Sequence, residues 1–228
     1  MYQLVIGNKN YSSWSMRPWV LLRGLGIGFD EVRLRFDGFG ADSAFKRGLQ
    51  RYGGAGRVPL LLDGDLAVWD SAAIAEYLHE SHPAVWPAER RARAQARSAC
   101  AEMHSGFQAL RQHCPMNIEA VLHEAGAAIW REQPQVRADL ERIAHLWSAA
   151  LRAHGGPMLY GAFSYADACF APVCMRVRSY GLPLDDTAQA YVQRVCELPA
   201  VAQWMADARA EHDFLDWAEP YRQPPRGP

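Results

Sequence analysis

An α/β amino-terminal domain followed by an all-α helical carboxy-terminal domain is the fold class that this sequence predicts, from three observations. Short strand-like and helix-like patterns alternate over residues 1–81. From about Pro87 onward strand patterns give way to long segments rich in Ala, Arg, Glu, Leu and Gln. Between the two regimes lies His82-Pro83-Ala84-Val85-Trp86-Pro87, which has two prolines and no helical period and reads as a linker. The 228 residues suit one large domain or two small ones at roughly 150 residues per domain. The division expected is 1–81, a linker at 82–87, a helical domain at 88–218 and a Pro-rich tail at 219–228, poorly ordered or wrapped over the surface.

Taken in order, Tyr2 to Ile6 suits a buried strand, and Trp14 to Leu25 carries an apolar helical face through Pro18, Leu21 and Leu22, ended by Gly24, Gly26 and Gly28. Phe29 to Phe36 reads as a second strand, roughly alternating from Val32, and Asp42 to Gln50 as a short helix before a Gly-rich turn. Val58 to Leu62, the turn Asp63-Gly64 and Leu66 to Trp69 form a β-hairpin pattern, and Ala72 to His79 a further helix. The second domain predicts helices at about 88–113, 117–132, 135–154, 165–180, 187–196 and 199–212.

Charge and cysteine usage exclude several functions. Lys plus Arg total 24 against 25 for Asp plus Glu, so no electrostatic footprint for a nucleic-acid backbone exists and none is expected as a partner. No apolar run approaches the roughly 20 residues that span a bilayer, so a soluble cytoplasmic protein without a membrane partner is expected. Cys100, Cys114, Cys169, Cys174 and Cys196 are odd in number and lack Cys-x-x-Cys spacing, and the histidines form no His-x3-His pair, so neither a disulfide framework nor a metal is expected.

Three segments of the first domain carry chemistry. Tyr11-Ser12-Ser13-Trp14-Ser15-Met16-Arg17-Pro18 puts hydroxyls at a helix start that Pro18 helps to define. One serine there serves either as an N-cap or, with the free N–H groups of the first turn, as a donor to an anion such as a thiolate. An ordinary thiol of pKa near 8.5 is only about 3% ionised at pH 7, and lowering it by roughly two units makes thiolate the majority form. The second segment is Arg57-Val58-Pro59, where proline opens a strand; a cis bond there would turn Val58 outward to pair with a peptide-like ligand. In the third, Asp70-Ser71, either residue can cap the helix while the pair suits the zwitterionic end of an amino acid.

Jointly these segments resemble the glutathione transferase superfamily, over most of the chain. The motifs are Ser12-Ser13-Trp14-Ser15 with Arg17, Arg57-Val58-Pro59, and Asp70-Ser71-Ala72-Ala73-Ile74-Ala75-Glu76-Tyr77-Leu78. The resemblance implies a thioredoxin-like first domain, glutathione as co-substrate without a metal, and a homodimer. It assigns Ser12 or Ser13 to the thiolate and Trp14, Arg57, Val58, Pro59, Asp70 and Ser71 to glutathione. The serine block is most similar to the zeta class, which includes maleylacetoacetate isomerase, but Trp14 stands where that class has cysteine. The implied function is thiolate attack on a small electrophile, an acidic one if Arg111 lines the cleft; the alternatives are a maleylacetoacetate-type isomerase, a peroxide reductase and a non-catalytic binding or regulatory protein. A cysteine-dependent mechanism is disfavoured because no cysteine precedes Cys100.

In such an architecture the first long helix of the second domain borders the acceptor. Cys100, Met103, His104, Phe107, Arg111 and Cys114 fall near one face of the predicted helix 88–113, either as a packed stripe or, for Met103, His104, Phe107 and Arg111, as the acceptor wall. Arg111 would then hold a carboxylate and His104 shuttle a proton. Ser164 and Asp167, three apart ahead of a helix, read as a structural capping box, and Trp130, Trp147, Trp204 and Trp217 as core or subunit contacts.

Overall fold

The computed structural model describes residues 1–53 and 56–222. Gly54, Ala55 and residues 223–228 lie outside it, and with them part of the Gly-rich turn and most of the expected tail. In the first domain β1 (Tyr2–Ile6) leads through α1 (Ser13–Gly24) to β2 (Phe29–Arg33) and α2 (Ala44–Gln50). The hairpin β3 (Leu60–Asp63) and β4 (Leu66–Trp69) then enters α3 (Ser71–Ser81). The sheet runs β2-β1-β3-β4, with β1 parallel to β2 and antiparallel to β3. Side-chain alternation explains why β1 is apolar throughout: Leu4 and Ile6 pack in the cluster of α1 and α3, while Val5 faces Phe45 and Leu49 of α2.

The second domain is helical: α4 (Arg90–Ser105), α5 (Gln108–His113), α6 (His123–Glu132), α7 (Pro134–His154), α8 (Tyr165–Tyr180), α9 (Asp186–Glu197) and α10 (Pro199–Ala210). Helix α8 lies at its centre, with every residue but Arg178 buried, and packs against α1 of the first domain. The capping box is present: Asp167 accepts from the Ser164 N–H at 3.0 Å, and the Ser164 hydroxyl caps the first turn. The linker is anchored, since Val85 and Trp86 are 0% and 4% exposed.

Four expected elements change. The first hairpin strand runs Leu60–Asp63 rather than Val58 to Leu62, and the turn is Gly64-Asp65 rather than Asp63-Gly64, because Asp63 still pairs with Leu66. The second strand stops at Arg33 rather than Phe36, because the Phe36 N–H goes to the Asn8 carboxamide at 2.8 Å instead of to a neighbouring strand. The expected helix 88–113 breaks in two: Gly106 has its Cα so close to the Glu102 carbonyl that a Cβ would lie 2.8 Å from it, and Phe107 takes φ 55°. The expected helix 117–132 begins only at His123, since Asn10 Oδ1 accepts from the Ile118 and Glu119 N–H groups at 2.7 and 2.8 Å and draws them away from a helical ladder.

Two cross-domain features frame the site. Lys9, 4% exposed, bridges Glu31 at 2.8 Å and Asp207 at 2.6 Å and lies over the rings of Trp19 and Trp204. After α10 the chain returns across the first domain. Glu211 accepts from the Lys9 and Asn10 N–H groups, Asp213 takes two bonds from Arg35, and Leu215 is buried beside Phe45.

Candidate active site

The loop from β1 into α1 is shaped by Asn8, whose carbonyl accepts from the Ser12 N–H at 2.8 Å and the Tyr11 N–H at 3.2 Å. Ser12 is thereby set at the N-cap of α1, yet its side chain makes no capping bond. Its hydroxyl donates instead to Ser15 Oγ at 2.7 Å, and Ser15 Oγ also accepts from the Gly7 N–H at 3.3 Å. Ser13 is half-buried at the first helical position.

Both serines border a cavity of about 460 Å³ between the domains, together with Trp14, Arg57, Val58 and Arg111. Trp14 forms a wall and does not fill the space. Its ring lies against the Arg17 guanidinium at 4.2 Å, Arg111 at 5.5 Å and, edge to face, His104 at 4.9 Å. The Val58-Pro59 bond is cis, and no hydrogen bond to the Val58 main chain occurs among the described residues.

At the start of α3, Asp70 has φ 76° and caps the helix by accepting from the Ala72 N–H at 2.8 Å. Its other oxygen lies 3.2 Å from His104 Nε2, so His104 links the two domains. Ser71 is wholly buried, and its Oγ has no protein partner among the described residues. Val58 borders the cavity just ahead of β3, whereas Asp70 and Ser71 stand outside its lining; the carboxylate, the unpaired hydroxyl and the unpaired Val58 main chain suit the charged end and peptide backbone of a tripeptide.

Of the expected acceptor residues, only Arg111 borders the cavity. Met103 and Phe107, 1% and 7% exposed, are packed in the core, and His104 is turned toward Asp70 and Trp14. The wall is completed by residues the sequence reading passed over: Phe39, Lys46, Met116 and Arg176. Trp217, expected as core or a subunit contact, is not core: it is 53% exposed at the rim, 5.1 Å from Phe39, whereas Trp147 and Trp204 are fully buried. Arg176 could have been noticed as a cation in the long apolar stretch that follows Asp167 in α8.

Tyr11 also borders the cavity, but its hydroxyl donates to Glu219 at 2.6 Å; burial and that carboxylate push its pKa up, so it is a bound neutral phenol rather than a base. Burial, then the charge of Arg17, pushes the Arg176 pKa down to about 10, which still leaves it cationic at neutral pH. No group of three or more His, Cys, Asp or Glu side chains among the described residues is placed to hold a metal, and no described helix is long and apolar enough to cross a membrane.

Residues 11–81 match the family described as glutathione S-transferase, N-terminal domain. The chain as a whole has the glutathione transferase architecture: a thioredoxin-like domain followed by an all-α domain. A glutathione transferase homolog from Burkholderia gl BGR1, solved with bound glutathione, is 27% identical with a TM-score of 0.65, covering 92% of this chain and 98% of that one. The theta class glutathione S-transferase of Xanthomonas axonopodis pv. citri, also with glutathione bound, is 23% identical with a TM-score of 0.63, covering 90% and 96%, and supports the fold alone. A curated relative, dichloromethane dehalogenase of Methylophilus leisingeri, is 52% identical over 33 residues, and the match covers only 14% of this chain and 12% of that protein.

Proposed function

We propose that this protein is a glutathione-dependent transferase in which Ser12 holds the sulfur of glutathione as a thiolate for attack on a small electrophile. The observation that carries this reading is the Ser12 hydroxyl: at an N-cap position it caps nothing, and its partner is another hydroxyl. Hydroxyl protons rotate. With a sulfur at the helix start, Ser12 turns its O–H to the sulfur, and Ser15 turns its own onto Ser12 Oγ while still accepting from Gly7. The helix N-terminus adds partial positive charge, and Arg17 and Arg111 beside Trp14 add full charges. Val58 pairs with the cysteinyl backbone of the tripeptide, Asp70 with its ammonium and Ser71 with its α-carboxylate, while Arg57 attracts its glycyl end; Trp14 and Pro59 shape the floor.

Five unpaired cysteines support a reducing compartment such as the cytoplasm. Leu66 and Trp69, 47% and 46% exposed on edge strand β4, support a homodimer that covers them. The deciding experiment is calorimetric titration with glutathione followed by turnover of a chlorodinitrobenzene. Binding with turnover is expected; binding without turnover leaves a non-catalytic binding protein, and no heat at millimolar glutathione removes the reading.

A further inference from the structure

Two arginines, Arg111 and Arg176, border the inter-domain cavity, and a third, Arg17, lies against the Trp14 ring that walls it, none with an acid to neutralise it among the described residues. Arg176, 4% exposed, spends its Nε on the Cys114 carbonyl at 2.8 Å and one terminal nitrogen on the Pro172 carbonyl at 3.1 Å. Arg111 bonds the carbonyls of His104, at 3.3 Å, and Gly106. Arg17, 2% exposed, leaves Nε and one terminal nitrogen without any partner among the described residues. None of the three forms a salt bridge within that set. Asp139, whose charge reaches Arg111, is taken up by the Leu110 N–H at 2.9 Å.

Neutral carbonyls orient a guanidinium but do not cancel its charge, and an uncompensated buried charge is costly to a fold. Nor does the cavity itself supply an anion. Its wall includes Lys46, Arg57, Arg111 and Arg176 and not one Asp or Glu among the described residues. The four cations divide by domain. Lys46 and Arg57 flank the loop before β3, with Lys46 Nζ bound to the Gly56 carbonyl at 2.7 Å, on the side where the tripeptide would lie. Arg111 and Arg176 stand on the opposite wall around the segment from Gln112 to Met116. Beside them the lining is apolar and largely aromatic: Phe39, Trp217, Pro115 and Met116.

We propose that the acceptor is a flat apolar molecule bearing a carboxylate, with the carboxylate held by Arg111 and Arg176 and the apolar body against Phe39 and Trp217. This rests on the transferase reading for its chemistry but not for its binding. With a chloronitroarene the thiolate sulfur forms a bond to the chlorine-bearing carbon and chloride leaves; the thiol proton goes to solvent.

The test uses two acceptors that differ only in the carboxylate, 4-chloro-3-nitrobenzoate and 1-chloro-2-nitrobenzene. Calorimetric titration gives their affinities for the full chain without glutathione, and thioether formation gives their turnover with it. The benzoate is expected to bind at least tenfold tighter at low ionic strength, and Arg111→Met to shrink that preference below threefold. Arg176→Met should do the same, with a melting curve to check that it folds; the half-buried Arg111 carries the test if it does not. Equal affinity for the two acceptors, or an Arg111→Met variant that weakens only glutathione binding, would overturn the proposal. Preferential binding of the benzoate with no thioether formed would uphold it and refute the transferase reading instead.

Discussion

Replacing Ser12 by Ala removes the hydroxyl assigned to the sulfur and leaves the rest of α1 in place, since Ser12 Oγ caps no helix N–H and its bond is to Ser15. A hydrogen bond to a charged group is worth about 1.5–3 kcal/mol. At about 1.36 kcal/mol per pKa unit, its loss raises the bound thiol by roughly one to two units. If the native site holds that thiol near 6.5, about two units below a free thiol, half is ionised at pH 6.5, and the variant ionises only about 1–8% there. The expected result is a kcat/KM for 1-chloro-2,4-dinitrobenzene that falls by roughly 6- to 50-fold at pH 6.5 and recovers most of the loss by pH 9. The ultraviolet thiolate band of the glutathione complex, titrated in parallel, should move by the same one to two units. A band that does not move, or a rate loss equal at all pH values, would refute the assignment of Ser12; the same shift in Ser13→Ala and not in Ser12→Ala would transfer it to Ser13.

Other perturbations read neighbouring parts of the structure. Ser15→Ala should shift the thiolate band in the same direction by a smaller amount, because it takes the support from Ser12 and leaves the Gly7 N–H unpaired; an unmoved band with a lowered melting temperature would make Ser15 purely structural. Lys9→Met leaves Glu31 and Asp207 without their buried cation, and with both acids partly exposed the cost is about 3 kcal/mol, a fall in Tm of roughly 6–12 °C by calorimetry. Gly126→Ala would drive a Cβ to 1.8 Å from the Tyr180 carbonyl, so α6 must move off α8, at about 1–3 kcal/mol in a denaturant titration. Burial raises the pKa of Glu219, but bonds from Arg222, Tyr11 and Asn117 outweigh it and hold the group below its ordinary 4.5. A depressed carboxylate contributes stability in full above 4.5 and loses it as the pH falls through the folded value. Emission from Trp217, in the same returning segment, should therefore change below pH 4.5 ahead of global unfolding, and Glu219→Gln should show the changed emission already at pH 7.

Local pattern was enough for the architecture. The boundaries of β1 and α8 coincide with the structure because periodicity and Ser164-x-x-Asp167 act over a few residues, and the hairpin forms where its pattern lies, with its turn one residue further on at Gly64-Asp65. The ends of β2 and α6 escaped because distant groups decide them: the side chain of Asn8 takes the Phe36 N–H, and Asn10 takes those of Ile118 and Glu119; the end of α4 is local, at Gly106 and the positive φ of Phe107.

The candidate site divides in the same way. Ser12, Ser13, Trp14, Arg57, Val58, Asp70 and Ser71 were legible because each lies in a short motif at the edge of a strand or helix. That Trp14 stands as a wall, that Ser12 bonds Ser15, that Met103 and Phe107 are core, and that Arg17, Arg111 and Arg176 converge without an acid depend on packing α1 against α8. Sequence by itself determined most elements and the motifs of the candidate site, since these follow from neighbours along the chain. Only the tertiary structure decided the shape and charge of the inter-domain cavity, because charge compensation and burial are properties of groups far apart in sequence that meet in space.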